Sequence, residues 1–497
     1  MNHCGKPLVK NGLAGSGNQR YKCQVCKAST TNPKKLEGEE IKIRERVAKT
    51  NRYFITCAQN NTNAHKAFFE SIKRFCKHNK AELIVIPTLY RNVSLYVKNE
   101  ENWYDPAIAD YLFDGRQVLN KNFVVMGDIK IQATAVDPLS GMDTLSSSMS
   151  CVFGHPQIAV KMVATPADKI AKGMYTTGSL TLKNYSKTKV GAKGDHHHIF
   201  GGLYIEIDKD AFYPFQICAD KDGSFYHLDK LYTKDGITSG HKAAALVTGD
   251  EHVIHYSPSV KAATYDKGGI TSILQPDIIV RHDVHDHYSR NHHHLNDTFK
   301  NFKKYHSKII SVQDELDLAI KFIDETTPKN ARNYIAASNH DEALDRWLNE
   351  KNLSNIEQDH ENFIFFHELR VKYFKEKMKN PDIGAFEVYA KGKFKANVIF
   401  LSRNKATTIK GIDVSQHGDA GVNGAKGSIS SLSKAYYKMI IGHSHTPGIR
   451  FGVYQVGHSA GKADYAKGLS SWCNTHCIIY PNGKRTLVNV INGKWRL

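Results

Sequence analysis

The stretch Ala245-Leu246-Val247-Thr248-Gly249-Asp250-Glu251-His252 sets the pattern for the second half of the chain. An apolar run of strand type ends, and residues able to hold a cation follow at once. The pattern recurs where Asp277-Ile278-Ile279-Val280 runs into His282-Asp283, with Asp286 three residues beyond. It recurs again where Tyr334-Ile335-Ala336-Ala337 leads into Ser338-Asn339-His340-Asp341, and where Met439-Ile440-Ile441 leads into Gly442-His443-Ser444-His445. A further motif, His417-Gly418-Asp419, lies between the last two. Open α/β folds place their sites beyond the carboxyl ends of strands, so residues 241–497 are expected to form an α/β domain with its site at those ends. Each motif alone is weak, because a lone His-x-His is most often an ordinary surface or core pair and a lone Gly-Asp is usually a turn. The ordered set carries the signal.

Read together, the motifs run D-x-H, D-x-x-D, N-H-D, H-G-D and G-H-x-H from Asp250 to His445. This order resembles the calcineurin-like metallophosphoesterase superfamily and, within it, the SbcD-type DNA nucleases. The resemblance implies a metallophosphoesterase β-sandwich flanked by helices, holding two divalent metals, Mn2+ foremost, about 3.5–4 Å apart to activate water for in-line attack on phosphorus. Carried across residue by residue, it puts Asp250, His252 and His445 on one metal, and Asn339, His417 and His443 on the other, with Asp283 bridging. His340 is the implied catalytic residue, stabilising the transition state or protonating the leaving oxygen, and Asp341 would open the helix that begins at Glu342. The chain departs from the family where His282 stands in place of the usual glycine before the bridging aspartate. It also carries an insertion with His285, His287, His292, His293 and His294, read as extra ligands, as substrate contacts or, for most of them, as a solvated basic loop. Asn291-His292 imitates the asparagine–histidine motif, but Asn339-His340 is preferred because a strand precedes it and an acidic helix follows.

Upstream, residues 50–240 read as a second α/β domain. Tyr53–Cys57 and Leu83–Ile86 are strand-like and flank a helical pattern through Phe68, Phe69, Ile72 and Phe75. Gly127-Asp128 and Gly154-His155-Pro156 echo the downstream motifs without their acidic ligands, so the domain is either a decayed copy of the catalytic fold or, the preferred reading, an unrelated α/β domain with ordinary turns. The segment 176–193 interleaves lysines with tyrosine, which suits a nucleic-acid surface or a plain exposed loop. Residues 1–35 are too poor in large apolar residues for a core of their own, and residues 34–49 read as a charged linker helix. Cys23-Gln24-Val25-Cys26 is a C-x-x-C knuckle and resembles the zinc ribbons of DNA-binding proteins. Cys4 fits the second knuckle, but Met1 stands where its first cysteine belongs, so His3 is the candidate fourth ligand for a structural zinc. Arg20 and Lys22 would then touch phosphate backbone.

The chain's 497 residues require more than one domain, and 41% hydrophobic residues suffice for sizeable cores. The 68 Lys and Arg against 49 Asp and Glu give a net charge of +19, which favours a polyanion without choosing between nucleic acid and an anionic membrane; with the ribbon it points to a large polyanionic substrate, read as DNA. No apolar run is long enough for a membrane span, and the amino terminus lacks the apolar core of a secretory signal. The odd number of cysteines, nine, suits a reducing compartment, so a cytoplasmic location is expected. The whole layout is similar to phage pre-early proteins that degrade host DNA. That similarity implies a two-metal deoxyribonuclease in the host cytoplasm, assembling as a homo-oligomer and open to a further phage protein partner. The competing readings are a phosphomonoesterase or phosphoprotein phosphatase of the same superfamily, and a non-catalytic DNA-binding protein.

Overall fold

The computed structural model describes residues 2–3, 6–14, 18–31, 43–90, 103–166, 168–435, 438–461 and 468–497, with side chains from Leu8 onward. The protein is a mixed α/β chain that divides into two compact units, one comprising residues 1–161 and 172–239, the other residues 162–171 and 240–497. Among the described residues, no helix is long and apolar enough to cross a membrane.

In the first unit, Arg52–Gln59 and Glu82–Thr88 pair in parallel across the helix Lys66–Asn79. Phe68, Phe69, Ile72 and Phe75 fall on one face of that helix and are buried, which is why the periodicity was readable. Gly201–Asp208 and Ala211–Cys218 extend the sheet antiparallel. A second set of strands in the unit runs Arg116–Asn120, Phe123–Met126, Ser150–Phe153 and Lys172–Thr176.

At the amino terminus, Lys6–Leu13 and Gln19–Cys23 form an antiparallel hairpin followed by Ser29–Thr30. The chain turns at the C-x-x-C, with Lys27 in the left-handed region and the Cys23 amide donating to Ala28. Cys23 is buried and Cys26 exposed, while Cys4 and the His3 side chain lie outside the described residues. Arg20 and Lys22 are half-buried on the strand that ends at Cys23. The expected linker helix lies mostly outside the described residues, and residues 43–49 contain no helix. The segment 176–193 divides, with Lys183, Lys187, Lys189 and Lys193 exposed as the surface reading expects and its first part buried. Residues 177–181 are buried, and the Tyr185 hydroxyl meets buried His198 Nδ1 at 3.0 Å.

The second unit is built on a six-stranded sheet in the order Asn397–Leu401, Arg332–Ala336, Ile278–Arg281, Ala245–Val247, Thr475–Ile479, Arg485–Asn489. The first four are parallel to one another, Thr475–Ile479 runs antiparallel to Ala245–Val247, and Arg485–Asn489 runs antiparallel to Thr475–Ile479. Parallel neighbours need crossover connections, here supplied by Pro258–Tyr265 and Ile270–Leu274, then Thr298–His306 and Val312–Thr326, then Glu342–Leu348, Phe363–Lys379 and Ala385–Ala390. Leu316, Ile320, Ile323, Leu344, Phe366 and Phe386 bury these helices against Ile335. Shorter strands (Thr408–Ile409, Ile412–Asp413, Met439–Ile441, Val453–Gln455 and Gly448–Arg450) form a further sheet in the unit. The topology therefore delivers residues 248–252, 282–287 and 337–341 from the same ends of adjacent parallel strands.

Candidate metal centre

The loops beyond these strands are tied to one another by their backbones. Glu251 and His252 amides donate to the His282 and Asp283 carbonyls at 2.9 and 2.7 Å, and the Gly442 amide donates to the His417 carbonyl at 2.7 Å. The loops also carry conformational strain. His252, Asp283, His443 and His445 all adopt positive φ, between 43° and 72°. A non-glycine residue there costs on the order of 1–3 kcal/mol and persists only where its surroundings over-determine it. Four such residues among the candidate ligands mark loops shaped for something other than stability.

The side chains converge. Asp250, His252, Asp283 and His445 are buried and bring one ligand atom each within 4.8 Å of one another. His252 Nε2 and His445 Nε2 lie 2.9 Å apart, His445 Nε2 lies 3.4 Å from Asp250 Oδ2, and His252 Nε2 lies 3.7 Å from Asp283 Oδ2. On the other side, His417 Nε2 lies 3.2 Å from Asp283 Oδ2, so the Asp283 carboxylate stands between the two histidine groups. Both carboxylate oxygens of Asp250 and of Asp283 are buried without a hydrogen-bond partner, as is Nε2 of His417. Unpaired buried charge is costly, and carboxylates mixed with imidazoles form the donor set that Mn, Fe or Zn ions take. The residues fit a cation. Gly442 is required for this packing, because a Cβ there would lie 2.1 Å from Asp250 Oδ1.

The electrostatics follow from the same crowding. Burial and the neighbouring Asp283 push the Asp250 carboxyl well above its usual range. Burial would raise Asp283 too, but the imidazoles of His417 and His340 outweigh it and hold that carboxyl well below the usual value. Burial keeps His443 and His445 below the ordinary imidazole value, the neutral state a ligand needs. His340 goes the other way, because Asp283 and Asp286 overcome its burial and push it up to about 10.

Asp286 is the residue whose role the sequence left open. Its Oδ1 accepts from His252 Nδ1 and from His340 Nδ1, both at 2.7 Å. A carboxylate on one ring nitrogen fixes the tautomer and leaves the other nitrogen to ligate. Asp286 therefore aims His252 Nε2 into the cluster and anchors His340 beside it. His282, the departure from the family pattern, is fully buried, with its Nδ1 3.3 Å from His417 Nδ1, and forms a second group with Asp250 and His417. Burial pushes it down to about 3.

Asn339 Oδ1 and His443 Nδ1 meet at 3.0 Å, and the His443 ring lies 5.3 Å from that of His417. His443 belongs to none of the tight groups of His, Cys, Asp and Glu among the described residues. Asn291, by contrast, only caps the His293 amide. Asp341 opens the helix Glu342–Leu348 from its N-cap position, but its side chain makes no capping hydrogen bond there. Its Oδ1 accepts from the His285 amide at 3.1 Å, and Ser338 Oγ donates to its Oδ2 at 2.9 Å. The insertion divides: His285 and His287 are buried, while His292 and His293 are exposed.

Behind the ligands, Glu251 is held by Arg281. The two side chains are fully buried, 2.8 Å apart, and Arg281 also reaches Asn333 and Thr326. Glu251 sits between Asp250 and His252, so this ion pair fixes the backbone of both. No spacing rule exposes such a pair in advance.

No family model matches the chain. It is 34% identical to Protein A1 of Escherichia phage T5 over 464 residues, covering 89% of this chain and 82% of that protein. The chain belongs to the family of that phage protein.

Proposed function

We propose that this member of the phage Protein A1 family is a metal-dependent deoxyribonuclease with a metallophosphoesterase-type sandwich and site, acting on host DNA in the cytoplasm of an infected cell. The observation that carries the reading is the convergence of the unpaired Asp250 and Asp283 carboxylates with His252, His417 and His445 on strained strand-end loops. The net charge of +19 supports a polyanionic substrate.

Asp250, His252 and His445 would hold one ion, His417 with Asn339 and His443 the other, and Asp283 would serve both. His282 is an added candidate ligand. Two bound divalent ions, Mn2+ by preference, supply Lewis acidity that lowers the pKa of water and screens phosphoryl charge. His340, held through Nδ1 by Asp286 and protonated on both nitrogens, would stabilise the developing charge or protonate the leaving oxygen from Nε2. Structural zinc at Cys23 and Cys26, with Cys4 and His3 completing the set, homo-oligomer formation and a further phage protein partner belong to the same proposal.

The test is incubation of the purified protein with linear and circular duplex DNA, in EDTA or with added Mn2+, beside the Asp283→Ala variant. The expected result is metal-dependent degradation that disappears in the variant. A fully active Asp283→Ala variant overturns the site assignment. Hydrolysis of a small phosphomonoester with none of DNA replaces the nuclease by a phosphatase. DNA binding indifferent to metal, with no cleavage, replaces it by a non-catalytic binder.

A further inference from the structure

The insertion between the bridging aspartate and Asn339 contains a helix built inside out. Thr298–His306 buries a lysine and exposes its aromatics: Lys304 is 3% exposed, whereas Phe299, Phe302 and Tyr305 are 75%, 64% and 72% exposed. With Leu295, they form a row along one side at spacings of three and four residues. A helix stabilised by packing alone shows the opposite arrangement. Scattered exposed apolar residues need no explanation, but a contiguous aromatic row does. The Phe302 and His306 rings are already stacked, 6.2 Å apart at 10°.

The helix is fixed rather than loosely attached. The Glu315 carboxylate accepts from the Tyr288 amide at 2.7 Å and from the Ser289 amide and hydroxyl at 2.9 and 2.8 Å. Lys304 Nζ lies 4.8 Å from the Tyr288 ring centre, and that ring lies 4.6 Å from His255, three residues past the candidate ligand His252. Tyr288 thus links the aromatic helix to the loops that bear the metal-site residues.

Charge selects the occupant. Residues 290–308 hold Lys300, Lys303 and Lys308 beside the rings, with Lys304 buried and Arg290 paired to Asp359, against Asp297 as the single acid of the segment. Two copies of this segment would repel each other, whereas a polyanion is attracted. Exposed planar rings between cations match a nucleic-acid strand with unpaired bases, since bases stack on aromatic rings while lysines meet phosphates. We propose that Phe299, Phe302 and Tyr305 form a stacking platform for single-stranded DNA, gripping the unpaired end of a substrate delivered to the metal centre. The inference deepens the nuclease reading and rests on it.

The experiment compares the full-length protein with the Phe299→Ala/Phe302→Ala/Tyr305→Ala variant. Fluorescence anisotropy in EDTA, where no metal-dependent cleavage proceeds, measures binding of a fluorescent single strand, a duplex with a single-stranded tail and a blunt duplex. The variant is expected to lose about tenfold or more in affinity for the single strand and the tailed duplex, and less than about threefold for the blunt duplex. Restoring rings with Phe299→Tyr/Phe302→Trp should restore the affinity, which a merely structural role would not predict.

Equal binding of single strands by wild type and triple variant overturns the platform, as does a wild type that binds no single strand. Loss of binding to phosphatidylserine vesicles with oligonucleotide affinity unchanged would assign the row to a membrane surface. A smaller sedimenting species with unchanged affinity would assign it to contact between copies of the chain. Either result overturns the proposal. A wild type that binds tailed DNA through these rings yet cleaves nothing in Mn2+ leaves the platform standing and removes the nuclease reading.

Discussion

Both units end strands in buried polar clusters, but they treat their histidines in opposite ways. In the first unit the buried imidazoles of His155 and His198 are satisfied on both nitrogens. His155 bonds the Gln132 carbonyl and the Gln157 amide, and His198 bonds the Thr181 carbonyl and the Tyr185 hydroxyl. Around them, Ser179, Thr181 and Thr177 supply neutral partners. In the second unit, His282 Nε2, His417 Nε2 and His445 Nδ1 have no hydrogen-bond partner, the neighbouring Asp250 and Asp283 carboxylates are equally unpaired, and the backbone is strained beneath them. A fold that satisfies its polar groups has optimised stability at that place. One that leaves several unsatisfied in contact has kept them for a ligand.

The largest test of this contrast is structural. Arg281→Ala leaves Glu251 buried without its cation, and breaking such a pair costs about 3–5 kcal/mol. Urea denaturation followed by hydrogen exchange should show the strands Ile278–Arg281 and Ala245–Val247 losing protection first. A loss below about 1 kcal/mol would mean that the ion pair does not hold the ligand loop.

Metal addition comes next. At about 100 times its Kd, Mn2+ should stabilise the second unit by roughly 2.7 kcal/mol per site through mass action, and Asp283→Ala should abolish the gain. Exchange protection should rise at Ile278–Arg281 and stay level at Gly201–Asp208. An equal rise in both would erase the distinction between the units.

Two substitutions then separate ligation from catalysis. Asp286→Asn disturbs the support shared by His252 and His340, and metal affinity should fall about 10–100-fold. His340→Ala should cut DNA cleavage by about 100-fold or more while bound metal, measured by elemental analysis, is retained. Loss of metal in step with activity would make His340 a positioning residue for the ligands.

What the sequence made legible follows from periodicity and local order. Runs such as Ile278–Val280 can only be buried strands, and polar residues directly after them must gather where parallel strands end together. The Phe68–Phe75 spacing likewise announced its helix. What stayed hidden is tertiary. Nothing in the spacing of Asp283 and Asp286 says that the second carboxylate serves two histidines from other loops. His282 drew notice only as a departure from a pattern, and nothing in the local sequence pairs Arg281 with Glu251 thirty residues earlier. Aromatics at helical spacing over 298–306 would ordinarily be assigned to a core, yet here the lysine occupies the buried side. The zinc reading depends on Cys4 and His3, beyond the described side chains.

The smallest effect concerns the satisfied histidines. Burial holds His155 down to about 4 and His198 down to about 3. In the unfolded chain both titrate near 6.5. Above that value neither state is protonated and they contribute nothing to pH dependence. As pH falls below about 6.5, the unfolded chain takes up protons that the folded unit refuses, so stability declines by about 1.4 kcal/mol per pH unit per histidine, down to roughly pH 4. Urea midpoints at pH 7 and pH 5, read by exchange at Gly201–Asp208, should show this loss, and His155→Gln should reduce its slope by about half because glutamine retains a hydrogen-bonding group but does not titrate. A flat profile would mean that these imidazoles accept protons in place, and the first unit's histidines would then be as available as those of the metal centre.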